Sequence, residues 1–306
     1  MRTRLAATVV LILAWGSTFA SIKVSLEGCP PMLLAGGRCV IGGALIALVA
    51  IMLGRRPGLR GNLGPYAALA VLNVIGFFGL QTLAIDHLPS GYASLLLYLQ
   101  PVLTVLLAAP LLGEALTPAR LGGALTAFMG VAVVSLHPDE TVTTVGIALG
   151  VAAAVCWSLG TITAKRVRPR VEPLWAVALP LVVGGAVLSL VAAATGETSV
   201  DWSGRVAVAL VWTTLVGTTL AWLLWMFLVT SGDVGRVAVS IFLVPVVAVA
   251  LGWWLLDETV GWSVVIGTLL VCAGVLLVNV TTTPQVGTGT GTGTSDEDPV
   301  ATGRRR

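Results

Sequence analysis

The chain has 306 residues, of which 57% are apolar and 10% charged, with a mean hydropathy of +0.98. A soluble domain carries about 25% charge because its surface faces water, so 17 Lys and Arg with 14 Asp and Glu cannot coat a soluble particle of 31.4 kDa. Composition excludes a cytoplasmic enzyme, a disulfide-stapled secreted scaffold and a nucleic-acid binder, and leaves an integral membrane protein.

Charged residues punctuate ten long uncharged segments. Each approaches the ~20 residues that a helix needs to cross about 30 Å of hydrocarbon. None alternates with period 2, which points to helices rather than a barrel. The first span covers about 5–22, contains Trp15 and stops at Lys23. The second, 31–53, holds Arg38, the one charge well inside a span and about 10 Å from its end at 1.5 Å per residue. The third, 65–85, carries Asn73 and Gln81; the fourth, 90–112, carries Tyr98, Gln100 and Pro101 and leads to Glu114. The fifth is 119–136. The sixth, 145–164, contains Trp157 and ends at Lys165. Spans follow at 173–194, 206–231, 236–256 (with Pro245, leading to Glu258) and 261–280. The remainder, 282–306, is Gly/Thr-rich low complexity plus charge and reads as a disordered tail. The apolar run behind Met1-Arg2 also fits a secretory signal, but nine further spans favour a first membrane helix. Cys29, Cys39, Cys156 and Cys272 are isolated and read as free apolar fillers. No spacing suggests a metal site or a cofactor.

With a cytoplasmic N-terminus, ten spans put Arg2, Arg4, Arg55, Arg56, Arg60, Arg120, Lys165, Arg166, Arg168, Arg170, Arg236 and Arg304 to Arg306 inside. Lys23 and Arg205 fall outside, with most of the acids. This bias places both termini in the cytoplasm and the protein in the cytoplasmic membrane.

The two halves repeat. Gly91 falls on Gly235, Pro101 on Pro245, Glu114 on Glu258, Gly123 on Gly267 and Gly130 on Gly274, while Trp15 and Lys23 match Trp157 and Lys165. The units are 1–140 and 141–281. Five spans per unit is an odd number, so the second enters the membrane upside down, a plan of carriers whose halves rock about a midplane site.

Polar groups inside spans are costly, which makes them candidates for binding. A guanidinium at Arg38 suits a carboxylate or phosphate; the alternative is snorkelling, or pairing with Glu27 or Asp86. Asn73, Gln81, Tyr98 and Gln100 offer neutral hydrogen bonds to a solute or between helices. Trp15 and Trp157 offer aromatic walls or plain packing. Lys23, Lys165, Glu114 and Glu258 are candidate gate charges, or headgroup anchors, and mid-span Pro101 and Pro245 are candidate hinges. No carboxylate lies at the midplane for proton relay.

The segment Ala14-Trp15-Gly16-Ser17-Thr18-Phe19, then Ile22-Lys23, Pro30-Pro31 and Gly36-Gly37-Arg38, resembles the opening of EamA-type members of the drug/metabolite transporter superfamily. Leu99-Gln100-Pro101-Val102, Leu112-Gly113-Glu114 and Gly130-Val131, with Val244-Pro245-Val246, Asp257-Glu258 and Ala273-Gly274-Val275, look like the ends of two such domains. The second half departs at Cys156-Trp157-Ser158-Leu159-Gly160 and at Asp257, where the first half has Gly113. The resemblance implies an all-α, ten-helix protein of two inverted five-helix repeats. It also implies a carrier of small metabolites, often an exporter of amino acids or their derivatives. The expected partners are a small-molecule solute and the lipid bilayer, with a homodimer left open. A channel or receptor-like sensor is the alternative. A membrane enzyme lacks support, because His87 and His137 sit at span ends with no nucleophile–base set.

Overall fold

A computed structural model describes residues 2–113, 116–136, 142–168, 170–230 and 241–280, and among these there is no strand. Seven of the described helices are long and apolar enough to cross a membrane. They are α1 (Arg2–Ser25), α2 (Pro31–Met52), α3 (Leu63–His87), α4 (Ser90–Leu112), α6 (Thr144–Val167), α7 (Trp175–Ala194) and α8 (Gly204–Leu228). Three further apolar helices, α5 (Pro118–Leu136), α9 (Leu243–Leu256) and α10 (Trp262–Val280), are shorter in their apolar part. The protein is a multi-pass membrane protein whose outer faces are lined by exposed side chains such as Leu48, Ile51, Val208 and Leu269.

Two helix pairs dominate the packing, α2 with α7 and α5 with α10. Lipid gives helices no hydrophobic reason to associate, so close backbone approach supplies the attraction. Gly36 lies against Gly185 and Ser189, and Gly43 against Ala178 and Leu181. In the second pair Gly123 meets the Gly274 carbonyl and Gly130 the Gly267 carbonyl. The glycines that recur in each half of the sequence therefore pack crosswise, Gly123 against the counterpart of Gly130 and Gly130 against the counterpart of Gly123.

Three of the helices are irregular in mid-span. The segments Ala70–Gly79 of α3 and Thr213–Leu220 of α8 are π-wound, a winding that is rare and clusters at functional sites. In α8 the hydroxyls of Thr218 and Thr219 donate to the carbonyls five residues back, both at 3.0 Å. Helix α4 is broken into Ser90–Leu97 and Gln100–Leu112, and Pro101 stands in the first turn of the second piece. There its missing N–H costs nothing. The described part of α9 opens the same way, with Pro245 in its first turn. Both prolines thus start a helical segment rather than bending a continuous one. The Gln100 carbonyl at the break accepts from Ser158 Oγ of α6 at 3.0 Å.

The helix ends are tied across the halves. At one end Asp201 N donates to the Gly28 carbonyl (2.8 Å), Met32 N to Glu197 Oε2 (3.0 Å), and Arg205 pairs with Glu27 at 3.1 Å. Burial, with Glu197 beside it, pushes the Cys29 thiol up to about 11, so it stays a neutral filler. At the opposite end Asn62 Nδ2 donates to the Arg170 carbonyl (3.1 Å) and Trp175 Nε1 to the Arg55 carbonyl (3.0 Å). Trp175 is buried, where a headgroup anchor would be exposed, because its N–H finds a protein partner. The tail at 282–306 lies outside the described residues.

Helices α4 and α9 both stop on a left-handed residue, Gly113 at φ 70° and Asp257 at φ 52°. Asp is one of few side chains that visit this region, at some cost. That accounts for the repeat's departure at this position. We expect Asp257→Gly to raise stability in detergent by about 0.5–1 kcal/mol, read as a higher melting temperature. Gly274→Val should lower it by about 1–3 kcal/mol through overpacking against α5. Gly122→Ala, which meets open space, should leave it unchanged or slightly raised; equal effects of the two would refute the seam.

Candidate functional site

Helices α1, α2, α3, α4, α6 and α8 enclose a cavity of about 30 Å³ midway along α1 and α6, room for roughly one water. Its polar corner is Arg38 of α2 with Gln81 of α3. Aromatic rings make the rest of the wall, from Trp15 and Phe19 of α1, Phe77 and Phe78 of α3, Tyr98 at the α4 break, Trp157 of α6 and Trp222 of α8.

Arg38 is 2% exposed. Its Nη2 donates to Gln81 Oε1 at 2.9 Å and Thr82 Oγ1 at 3.1 Å, and its Cζ stands 4.8 Å from the centre of the Phe78 ring. Nε and Nη1 are buried with no hydrogen-bond partner among the described residues. The side chain neither snorkels nor reaches an acid. Glu27 pairs with Arg205, and Asp86 with His87 at 3.5 Å. A buried charge compensated only by neutral dipoles costs several kcal/mol until an anion arrives.

The aromatic wall follows the sequence repeat. Trp15 meets Trp222 edge-on at 6.1 Å and Trp225 at 5.6 Å. Trp157, its counterpart, stacks on Phe77 at 4.5 Å and meets Tyr98 edge-on at 6.0 Å. Trp222 stands where the other half has Phe78. Size is exchanged in the same way, since Thr18 of α1 fills the space over Gly217 of α8 while Asn73 of α3 fills the space over Gly160 of α6.

Of the residues singled out from the sequence, the structure brings Trp15, Arg38, Gln81, Tyr98 and Trp157 around one cavity. Asn73 is wedged beside Gly160, its Oδ1 buried and unpartnered. Gln100 faces away from the cavity, its Nε2 donating to Thr104 Oγ1 (2.9 Å) and Thr161 Oγ1 (3.0 Å). Sequence reasoning missed Phe19, Phe77, Phe78, Thr82 and Trp222. In an apolar span an aromatic facing a cavity looks like one facing lipid. Only the Phe78/Trp222 pairing by repeat offset was available as a signal.

At the end of the bundle that carries the α3–α4 connection, two charges close on helix termini. Lys23 Nζ donates to the carbonyls of Ile85 (2.8 Å), Asp86 (3.0 Å) and Leu88 (3.0 Å), capping the C-terminus of α3. Glu258 accepts from Ser90 N (2.6 Å), Gly91 N (3.2 Å) and Ser90 Oγ (3.0 Å), capping the N-terminus of α4. Each charge also opposes the helix dipole it meets. At the opposite end Lys165 is exposed, its neighbour Arg166 donates to the Leu111 carbonyl, and Glu114 lies outside the described residues. We expect Glu258→Ala to cost about 1–3 kcal/mol in detergent, because it leaves the first donors of α4 unmet; an unchanged melting temperature would show that water replaces the carboxylate at no cost.

A model of the EamA-like transporter family matches residues 4–136 and again 144–280. The "Uncharacterized transporter YvbV" of Bacillus subtilis (strain 168) is 32% identical over 271 residues, covering 88% of this chain and 89% of that protein. The "Probable amino-acid metabolite efflux pump" of Escherichia coli (strain K12) is 32% identical over 288 residues, covering 89% and 93%. The "Probable terminal-alkyne amino-acid exporter" of Streptantibioticus cattleyicolor is 28% identical, covering 89% and 92%. A solved crystal structure superposes with a TM-score of 0.68 at 25% identity, over 92% of this chain and 98% of the other.

Proposed function

The chain belongs to the EamA-like transporter family of the drug/metabolite transporter superfamily, and we propose that it is a secondary carrier that exports a small organic solute by alternating access. In this reading it crosses the cytoplasmic membrane ten times, as two inverted five-helix repeats over 1–140 and 141–281, with both termini inside. The observation that carries it is the central cavity, walled by the equivalent pairs α1 and α6, α3 and α8 together with α2 and α4, and holding Arg38 without an acid partner among the described residues. The skew of Lys and Arg supports the orientation. The printed names of two relatives, an efflux pump and an exporter, support the direction.

The same reading assigns the gates. Lys23 and Glu258 hold the outer ends of α3 and α4 against α1, α9 and α10, which closes the outer mouth over the cavity. Their repeat equivalents, Lys165 and Glu114, make the corresponding closure inside when the halves rock the other way. A handful of such hydrogen bonds, each worth about 1 kcal/mol net, matches the few kcal/mol that separate interconverting states. The π-wound segments of α3 and α8 and the segment starts at Pro101 and Pro245 are the natural places for bending.

Purified protein in proteoliposomes tests the reading. Saturable flux with counterflow identifies a carrier, whereas unsaturable conductance identifies a pore. In a cysteine-free background, Glu258→Cys and Glu114→Cys should label from opposite faces of the membrane; labelling from one face would end the inverted-repeat arrangement.

A further inference from the structure

We infer that the transported solute is an organic monocarboxylate with a flat apolar body, taken up when the halves part and widen this cavity, with its carboxylate on Arg38 and its body against Trp15 and Trp222, and that the carrier does not read an amino group. This rests on the carrier reading above. It starts from the buried donors. Nε and Nη1 of Arg38 have no partner, and the acceptors on Nη2, Gln81 and Thr82, are neutral. The missing partner is therefore an anion that accepts hydrogen bonds, the role a carboxylate fills on a guanidinium.

The other lining residues restrict the rest of the molecule. No Asp or Glu lines the cavity among the described residues, so a protonated amine would lose its hydration beside a like charge and gain no counter-ion. Cationic solutes are excluded on the same ground. A phosphate dianion would bring a second charge that nothing in the cavity neutralises. Aromatic faces remain, and these favour a planar apolar group in offset-stacked or edge-on contact.

Departure from the repeat sets the orientation. Trp15 and Trp157 are equivalent, as are Phe78 and Trp222, but Gln81 corresponds to Trp225, and Arg38, at the offset that superposes Gly42-Gly43 on Gly184-Gly185, corresponds to Pro180. The polar corner therefore comes from the first half alone, while the second half contributes Trp222 at the matching position, with Trp225 behind Trp15. A cavity with one polar corner in an otherwise aromatic wall selects an amphipathic solute and holds it one way round.

The test uses the full chain in detergent and four probes that share a phenyl ring, 3-phenylpropionate, phenylalanine, 2-phenylethylamine and phenyl phosphate, with binding followed by calorimetry. We expect 3-phenylpropionate to bind at least tenfold more tightly than the amine, and phenylalanine no more tightly than 3-phenylpropionate. Arg38→Gln should weaken the carboxylate at least tenfold and Arg38→Lys less. An amine or phenyl phosphate that binds as well as the carboxylate, an Arg38→Gln protein that binds unchanged, or no binding by any probe would overturn the inference. Should Arg38→Gln not fold, the ranking on the unaltered chain and a Trp222→Leu variant, expected to weaken 3-phenylpropionate about tenfold, still decide it. Counterflow separates the two proposals. Carboxylate binding without counterflow removes the carrier and keeps the ligand, while counterflow of a cationic solute keeps the carrier and removes the ligand.

Discussion

A polar group in hydrocarbon has no water to fall back on, and the architecture of this protein follows from that constraint. Regular helices satisfy their own backbones and can face lipid. The irregular stretches cannot, and they are turned inward. The π-wound turns of α3 and α8 and the break in α4 lie on the helices around the central cavity, and their exposed groups are met by protein. Ser158 of α6 covers the Gln100 carbonyl, and the α8 threonines cover their own turn. Where helices end, Lys23 and Glu258 supply the charges that complete α3 and α4.

Among the described residues that line the cavity, one group is left short. Arg38 is packed against Phe78 and held by Gln81 and Thr82, yet two of its three guanidinium nitrogens find no acceptor among the described residues. Asn73 Oδ1 is also unpartnered but lies beside Gly160, so among the described residues Arg38 alone brings such donors to the cavity. The neighbouring rings offer faces to stack on, and no described Asp or Glu lines the cavity.

The two halves share a plan without sharing every residue. Equivalent helices meet along α2–α7 and α5–α10, where recurring glycines remove the Cβ that would hold backbones apart. Around the cavity the halves trade volume, Thr18 over Gly217 on one side and Asn73 over Gly160 on the other. Asp257 takes the left-handed turn that Gly113 takes in the first half. Substitutions that looked like decay of a repeat are compensated in three dimensions, while Arg38, without a polar counterpart in the second half, keeps two buried nitrogens short of acceptors among the described residues.

The residues alone established a polytopic helical membrane protein, the doubled pattern Pro-x12-Glu-x8-Gly-x6-Gly, and the rarity of a charge such as Arg38 inside a span. These follow from composition and spacing, because lipid admits few charges and glycines and prolines leave marks at fixed intervals. Which neutral polar residues face the cavity was decided only by the fold. Gln81 reaches Arg38, whereas Gln100 and Asn73 are spent between helices. The aromatic wall was equally hidden, since Phe77, Phe78 and Trp222 sit in spans that are apolar on every side. In such a span hydropathy carries no periodic signal, so the rotation of each helix, and with it the inward face, is set by the close contacts of the assembled bundle.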